Sequence, residues 1–180
     1  MAEAARLAEG SGARIIDINM GCPAKKVTTG WSGSALMREP DQALTLIEAV
    51  VGAVRVPVTL KMRLGWDHDR LNAPEIAARA VDAGVQMITV HGRTRQQFYK
   101  GKADWAAIRR VREAIRLPLV ANGDITDAAS ARQALAASGA DAVMIGRGAQ
   151  GAPWLPQAVA DAMAGRALTL PSTRERLDLL

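Results

Sequence analysis

Two periods of apolar residues alternate along this chain. Five short aliphatic runs, residues 15–19, 58–62, 86–90, 117–121 and 141–145, have strand length and strand composition. Between them the spacing turns helical. Over residues 41–54, Ala43, Leu44, Ile47, Val50 and Val51 fall on one side of a helix. Pro74 opens a helix that Gly84 stops at residue 83, and further helices are predicted over 104–115, 127–137 and 153–164. Thr126 or Asp127 is the expected cap of the helix over 127–137. An Ala- and Glu-rich segment, residues 2–9, reads as a first helix closed by Gly10 and Gly12. Residues 20–37, 64–73 and 91–102 read as loops.

A strand–helix unit repeated five times predicts a parallel sheet with crossover helices. The sheet is then either an open doubly wound one or a closed barrel. Strand faces separate the two. Thr59, Lys61 and Arg63 alternate with Val58, Leu60 and Met62, and Thr89 and His91 with Ile88 and Val90. One face is apolar enough to lie under helices, and the other turns polar toward each strand's C-terminal end. Polar tips on several strands are the arrangement of a (β/α)8 TIM barrel with its site at the top. Five units are short of eight, so the expectation is an α/β protein forming an incomplete TIM barrel over residues 1–165, lacking its N-terminal strands. The polar tail over 166–180 would start a further element.

Composition narrows the function classes. The 180 residues suffice for one domain with a sizeable core, and 49% hydrophobic with 23% charged residues is a globular balance. No apolar run approaches the roughly 18 residues that cross a bilayer, and the opening MAEAARLAEG is no signal peptide. A single cysteine excludes an internal disulfide and fits a reducing, cytoplasmic setting. No Cys/His cluster has metal spacing, so no metal is expected. A net charge of +5 suits an acidic partner, while only 3% aromatics argues against base reading on RRM-type aromatic sheets.

Candidate chemistry collects at the strand ends. Cys22 follows the first strand between Gly21 and Pro23, with Asp17 and Asn19 sharing one strand face. A lone cysteine is ordinarily a small buried hydrophobe, and its company changes that reading. Lys61 lies on the polar face of an internal strand, where burial calls for an anionic partner. His91 closes the next strand. Asn122, Gly123 and Asp124 end the fourth, and Gly146-Arg147-Gly148 the fifth, offering glycine amides and a guanidinium suited to phosphate. The cations Lys25, Lys26, Arg38, Arg63, Arg93, Arg95, Lys100 and Lys102 fall in or near the same loops. A positive rim of that kind suits a polyanion such as RNA.

The motifs NMGCPAKKV, LKMRLGW, ITVHGRT, VANGDI and MIGRGAQGAPW, in this order, resemble those of the tRNA-dihydrouridine synthases, the bacterial B-type branch in particular. The resemblance spans nearly the whole chain. It implies an FMN-binding barrel followed by a small helical domain that helps grip tRNA, here begun over 166–180. It also implies reduction of the 5,6 double bond of particular uridines, with NADPH as the source of electrons. By the same resemblance Cys22 corresponds to the catalytic cysteine, the acid that protonates C5 while hydride reaches C6. Lys61 and His91 correspond to flavin contacts, as do Asn122, Gly123, Asp124, Gly146 and Arg147 for flavin and phosphate. Asn19 lies near base and flavin, and Lys25, Lys26, Arg63 and Arg93 are the candidate substrate contacts.

The chemistry suits these residues, because hydride addition to an enone-like pyrimidine demands a proton at the neighbouring carbon. A uridine stacked inside tRNA must also be extruded to reach a barrel mouth. The N-terminal strands that carry a Pro-Met-Ala flavin loop in the resembled family are missing, so the chain alone is expected to bind FMN poorly and to be inactive. A monomer is the expectation at full length. The rivals are a dihydroorotate dehydrogenase-like FMN barrel and a non-catalytic half-barrel that binds RNA or phosphate. The basic rim and the GCPAKK loop argue against the first, and Cys22, Lys61 and His91 together argue against the second.

Overall fold

Strand β2 (Val58–Arg63) shows how the chain divides its two kinds of surface. Leu60 and Met62 are fully buried on one face, while Thr59, Lys61 and Arg63 point to the other. The same division holds in β1 (Ile16–Met20), β3 (Met87–His91) and β4 (Leu119–Asn122). The computed structural model describes residues 1–167, 171, 172, 174 and 175.

The five strands, ending with β5 (Ala142–Met144), form one parallel sheet in the order β1-β2-β3-β4-β5. Crossovers between parallel strands are right-handed. An order that never reverses therefore puts every crossover helix on the same face, whereas a doubly wound sheet reverses at a switch point. The helices are α3 (Pro40–Val51), α4 (Ala73–Asp82), α5 (Trp105–Ala114), α6 (Ala128–Ser138) and α7 (Leu155–Met163), and each packs on the next. The fold is an incomplete TIM barrel: an arc of five βα units with α1 (Ala2–Gly10) ahead of it.

The core lies between the convex side of the sheet and the helices. Leu60, Met62, Ile88, Val90, Leu119 and Ala121 meet Ile47, Ile76, Ala77 and Ile108, all with no exposed surface beyond 1%. Each large aliphatic side chain so buried contributes about 1.5–3 kcal/mol. The concave face is polar instead, apart from Val120 and Met144 on its last two strands. Register sets Asn19, Lys61, Thr89 and Val120 in one row and Arg63, His91, Asn122 and Met144 in the next.

Local chemistry sets the helix ends. Asp127 caps α6 with a capping box to Ser130, and Asp104 caps α5 by accepting from the Ala107 amide. The segment 20–37 differs from the loop expected there. It folds into a short helix, α2 (Lys25–Thr28), and a 3-10 turn, Gly33–Arg38, because Ser34 returns to Cys22 with both its amide and its hydroxyl. That contact joins residues twelve apart, beyond the reach of local pattern. The element expected over 166–180 falls mostly outside the described residues. Among the described residues, no helix is long and apolar enough to cross a membrane, and no group of three His, Cys, Asp or Glu side chains could hold a metal.

Candidate functional site

The concave face opens at its C-terminal end into a cavity of about 540 Å³. Asn19 and Cys22 enter from β1 and its loop, Lys61 and Arg63 from β2, and His91 from β3. Asn122, Gly123 and Asp124 follow from β4, and Gly146 and Arg147 from the end of β5. Parallel strands with matched register bring these residues together, since each strand delivers its tip at the same level.

Cys22 is half-buried, and its loop is held from two sides. The Asn19 side chain accepts from the Gly21 amide at 2.9 Å, and the Arg63 Nε donates to the Gly21 carbonyl at 2.8 Å. Arg63 also donates through Nη1 to the carbonyls of Thr94 and Phe98, both at 2.8 Å. Only 2% exposed, it ties the Cys22 loop to the loop after β3. Burial lowers its pKa to about 10, with the Arg93 and Arg95 charges acting in the same direction and Tyr99 and Cys22 against it. It remains a cation at neutral pH.

Lys61 is a half-buried cation, and among the described residues no carboxylate lies within ion-pair distance of it. Burial and the neighbouring Arg63 lower its pKa, opposed by the charge of Asp17. His91 is pushed down to about 3, by burial first and then by Arg63, Lys61 and Arg93, so its ring is neutral at physiological pH. Its Nδ1 is buried without a partner among the described residues. Asn122 donates to the Met144 carbonyl at 2.8 Å, tying β4 to β5.

Two backbone positions in the β4 loop are special. Gly123 has φ +115, and a Cβ there would stand 2.8 Å from the Ala103 methyl and 3.0 Å from the His91 ring. Asp124 follows with φ 55, and its carboxylate accepts from Arg93 at 2.6 Å and from the Ala103 amide at 2.7 Å. Burial raises the Asp124 pKa, but those bonds and the charges of Arg93 and Arg147 hold it below the ordinary carboxylate range.

Of the sequence-expected residues, all but Lys25, Lys26 and Arg93 line the cavity. Lys25 and Lys26 stand exposed on α2, outside it. Arg93 requires a correction, since it was expected to face RNA. The structure turns it inward at 2% exposure, onto Asp124 and the carbonyls of Lys100 and Gly101. A surface orientation would leave the half-buried Asp124 carboxylate without its closest cation. Sequence reasoning missed Tyr99, which lines the cavity with the Arg147 guanidinium 4.5 Å and the Arg63 guanidinium 5.6 Å from its ring centre. The available signal was the chain's only tyrosine standing beside its only phenylalanine in a βα loop.

FMN, a planar ring system with an anionic phosphate, fits this donor set. A cavity of this volume is the size small-molecule sites take. Among the described residues Lys61 has no anionic partner, the His91 Nδ1 has no hydrogen-bond partner, and a Cβ on Gly146 would meet nothing within 4 Å.

Comparison with known proteins agrees with the geometry. The family profile described as "Dihydrouridine synthase (Dus)" matches residues 1–179. A "Probable tRNA-dihydrouridine synthase" of Rhodobacter capsulatus is 68% identical over all of this chain and 56% of its own length. A protein of the same description from Rickettsia conorii is 55% identical over all of the chain and 55% of its own length. The "tRNA-dihydrouridine synthase B" of Xanthomonas axonopodis pv. citri is 54% identical over 96% of the chain and 52% of its own length. The chain thus spans a little over half the length of the curated relatives it matches. Among solved structures, a phosphonopyruvate hydrolase complex with oxalate and Mg²⁺ superposes with TM-score 0.63 at 18% identity, over 91% of this chain and 61% of that one. A mandelate oxidase superposes with TM-score 0.61 at 24% identity, over 91% and 54%. At such identities the likeness speaks for the barrel fold alone. Five ordered motifs, a cavity assembled from successive strand tips and a profile match over residues 1–179 converge, and the chain belongs to the dihydrouridine synthase family.

Proposed function

We propose that this chain supplies the catalytic thiol and much of the flavin pocket of a cytoplasmic enzyme that reduces uridines in tRNA to 5,6-dihydrouridine. FMN would be the bound cofactor and NADPH the reductant. The observation that carries the reading is the half-buried thiol of Cys22 in the same cavity as Lys61, a cation without an anionic partner among the described residues.

Bound FMN, once reduced by NADPH, would supply hydride to C6 of the uracil. This chain's own residues have the remaining tasks. Cys22 gives its thiol proton to C5 as electron density develops there, and the resulting thiolate regains a proton from solvent, so the base gains one hydride and one proton. Asn19 and Arg63 hold the backbone at Gly21 and so aim the thiol. Lys61 offers positive charge where the cofactor or the uracil carbonyls accumulate negative charge. The neutral His91 can donate or accept one hydrogen bond at its unpartnered Nδ1. Arg147 and the open ground at Gly146 suit a phosphate. Lys25 and Lys26, exposed beside the cavity loop, are suited to tRNA phosphates. Beyond these residues, 166–180 would begin the helical region that helps hold tRNA.

The test is a chimera in which this chain replaces the matching 56% of the Rhodobacter capsulatus relative. Incubated with unmodified tRNA, FMN and NADPH, it is expected to form dihydrouridine, read by mass spectrometry of the nucleosides. Cys22→Ala should lower the rate by about 10²–10⁴-fold, the usual contribution of a positioned acid. Equal product from the alanine variant would remove Cys22 from the acid role.

A further inference from the structure

The chain has six aromatic residues, four Trp, one Tyr and one Phe. Four of them, Trp31, Trp66, Phe98 and Tyr99, stand in the loops that follow β1, β2 and β3, at the end of the sheet where the cavity opens, and Tyr99 lines the cavity. Scarcity argues against a sheet-based aromatic platform, but the few rings present are concentrated on one surface.

Two tryptophans and two arginines alternate there. The Arg38 guanidinium lies 5.7 Å from the Trp31 ring centre and 4.9 Å from that of Trp66, and the Arg95 guanidinium lies 4.7 Å from Trp66. Arg95 also donates to Thr28 Oγ1 at 3.3 Å, tying the row to α2. Among the described residues neither arginine has a carboxylate partner. A clamp between three loops accounts for Arg38, Trp66 and Arg95, since both guanidiniums lie over the Trp66 ring. It does not account for Trp31. That ring ends the row, is 49% exposed, and sits at φ 55, a conformation bulky residues rarely adopt.

Trp31 also stands close to the reactive group. It precedes Gly33 by two residues, at most about 7 Å of chain. A Cβ on Gly33 would stand 2.8 Å from the Cys22 carbonyl oxygen and 3.1 Å from the Cys22 Cβ. An exposed ring backed by a guanidinium, on the loop that carries the thiol, is what an unpaired base stacks on.

We propose that Trp31 is a stacking platform for the nucleotide next to the one that enters the cavity, with Arg38 backing the ring and Lys25 and Lys26 meeting the phosphates. This rests on the RNA reading above and names a residue that would position the substrate. The platform is tolerant of base identity, since every base has a π-face.

The test measures binding of this chain to an octauridylate and to an octamer of the same charge made of abasic ribose-phosphate units. The unaltered chain should prefer the octauridylate by about tenfold. Trp31→Ala should lose that preference while keeping its melting temperature and its salt dependence, and Trp31→Phe should retain most of it. Full preference in Trp31→Ala, or equal binding of the two octamers by the unaltered chain, overturns the platform and leaves the RNA reading standing. Equal loss in Trp31→Phe also overturns it, because the loss would then follow from loop damage. No binding of either octamer by the unaltered chain removes the RNA reading and the platform with it.

Discussion

Replacing Arg63 with methionine should loosen the loop that carries Cys22, and the size of the effect follows from the bonds lost. The guanidinium serves three carbonyls, those of Gly21, Thr94 and Phe98, each at 2.8 Å. The first two bonds are fully buried, whereas water can reach the Phe98 carbonyl once the side chain is gone. A buried carbonyl left unsatisfied costs about 1–3 kcal/mol, giving about 2–6 kcal/mol for the pair. Relief acts in the opposite direction, because the variant no longer buries a cation beside Arg93 and Arg95. Methionine fills much of the same volume, so no large cavity adds to the cost. The net expectation is a loss of about 2–4 kcal/mol, a large share of the roughly 5–15 kcal/mol that domains possess. Urea unfolding followed by circular dichroism measures it. The rate of Cys22 labelling by a thiol reagent should rise severalfold in folded protein, because Gly21 has lost one of its two anchors. Arg63→Lys, which keeps the charge but not the fork, should fall between the two. A Met variant within about 0.5 kcal/mol of the unaltered protein, with an unchanged labelling rate, would refute the idea that Arg63 anchors the thiol loop.

Further expectations concern the same wall of the cavity. Gly123→Ala should destabilise by about 2–4 kcal/mol in the same urea assay, combining a positive-φ penalty with crowding against Ala103 and His91. Gly10→Ala, at a helix position where a Cβ meets nothing, should be neutral or slightly stabilising and serves as its control. Stability should also fall as pH drops from about 6.5 toward 3. The His91 pKa is about 3 in the fold and near 6.5 in the unfolded chain, so the unfolded state binds the extra proton in that window. The slope is up to about 1.4 kcal/mol per pH unit and should largely vanish in His91→Asn. A depressed Asp124 contributes in the same direction only below the ordinary carboxylate range, so the two components separate by pH. An unaltered pH profile in His91→Asn would contradict the burial of a neutral imidazole.

Much of this site is legible in the chain because β-strand alternation is a local rule. Once residues 58–62 are read as a strand, Thr59, Lys61 and Arg63 must share a face. A parallel barrel then gathers the tips of consecutive strands whatever their loops do. Caps are equally local, and Asp127 and Ser130 find each other three residues apart. Arg93 and Lys61 show the limit. Both are cations near strand ends, yet one turns fully inward and the other opens on the cavity. The difference is Asp124, which arrives 31 residues after Arg93 in the loop that follows the next strand.

Local periodicity and capping chemistry, both acting over a few residues, were enough to determine the five strand–helix units, the polar concave face and the convergence of Cys22, Lys61, His91 and Asn122. Tertiary structure alone decided which cations are consumed internally, that Arg63 is an anchor of the thiol loop, and that scattered aromatics assemble on one rim. Those outcomes rest mainly on contacts between segments 28 to 67 residues apart, from Arg38 on Trp66 to Arg95 on Thr28, whose partners no local pattern names.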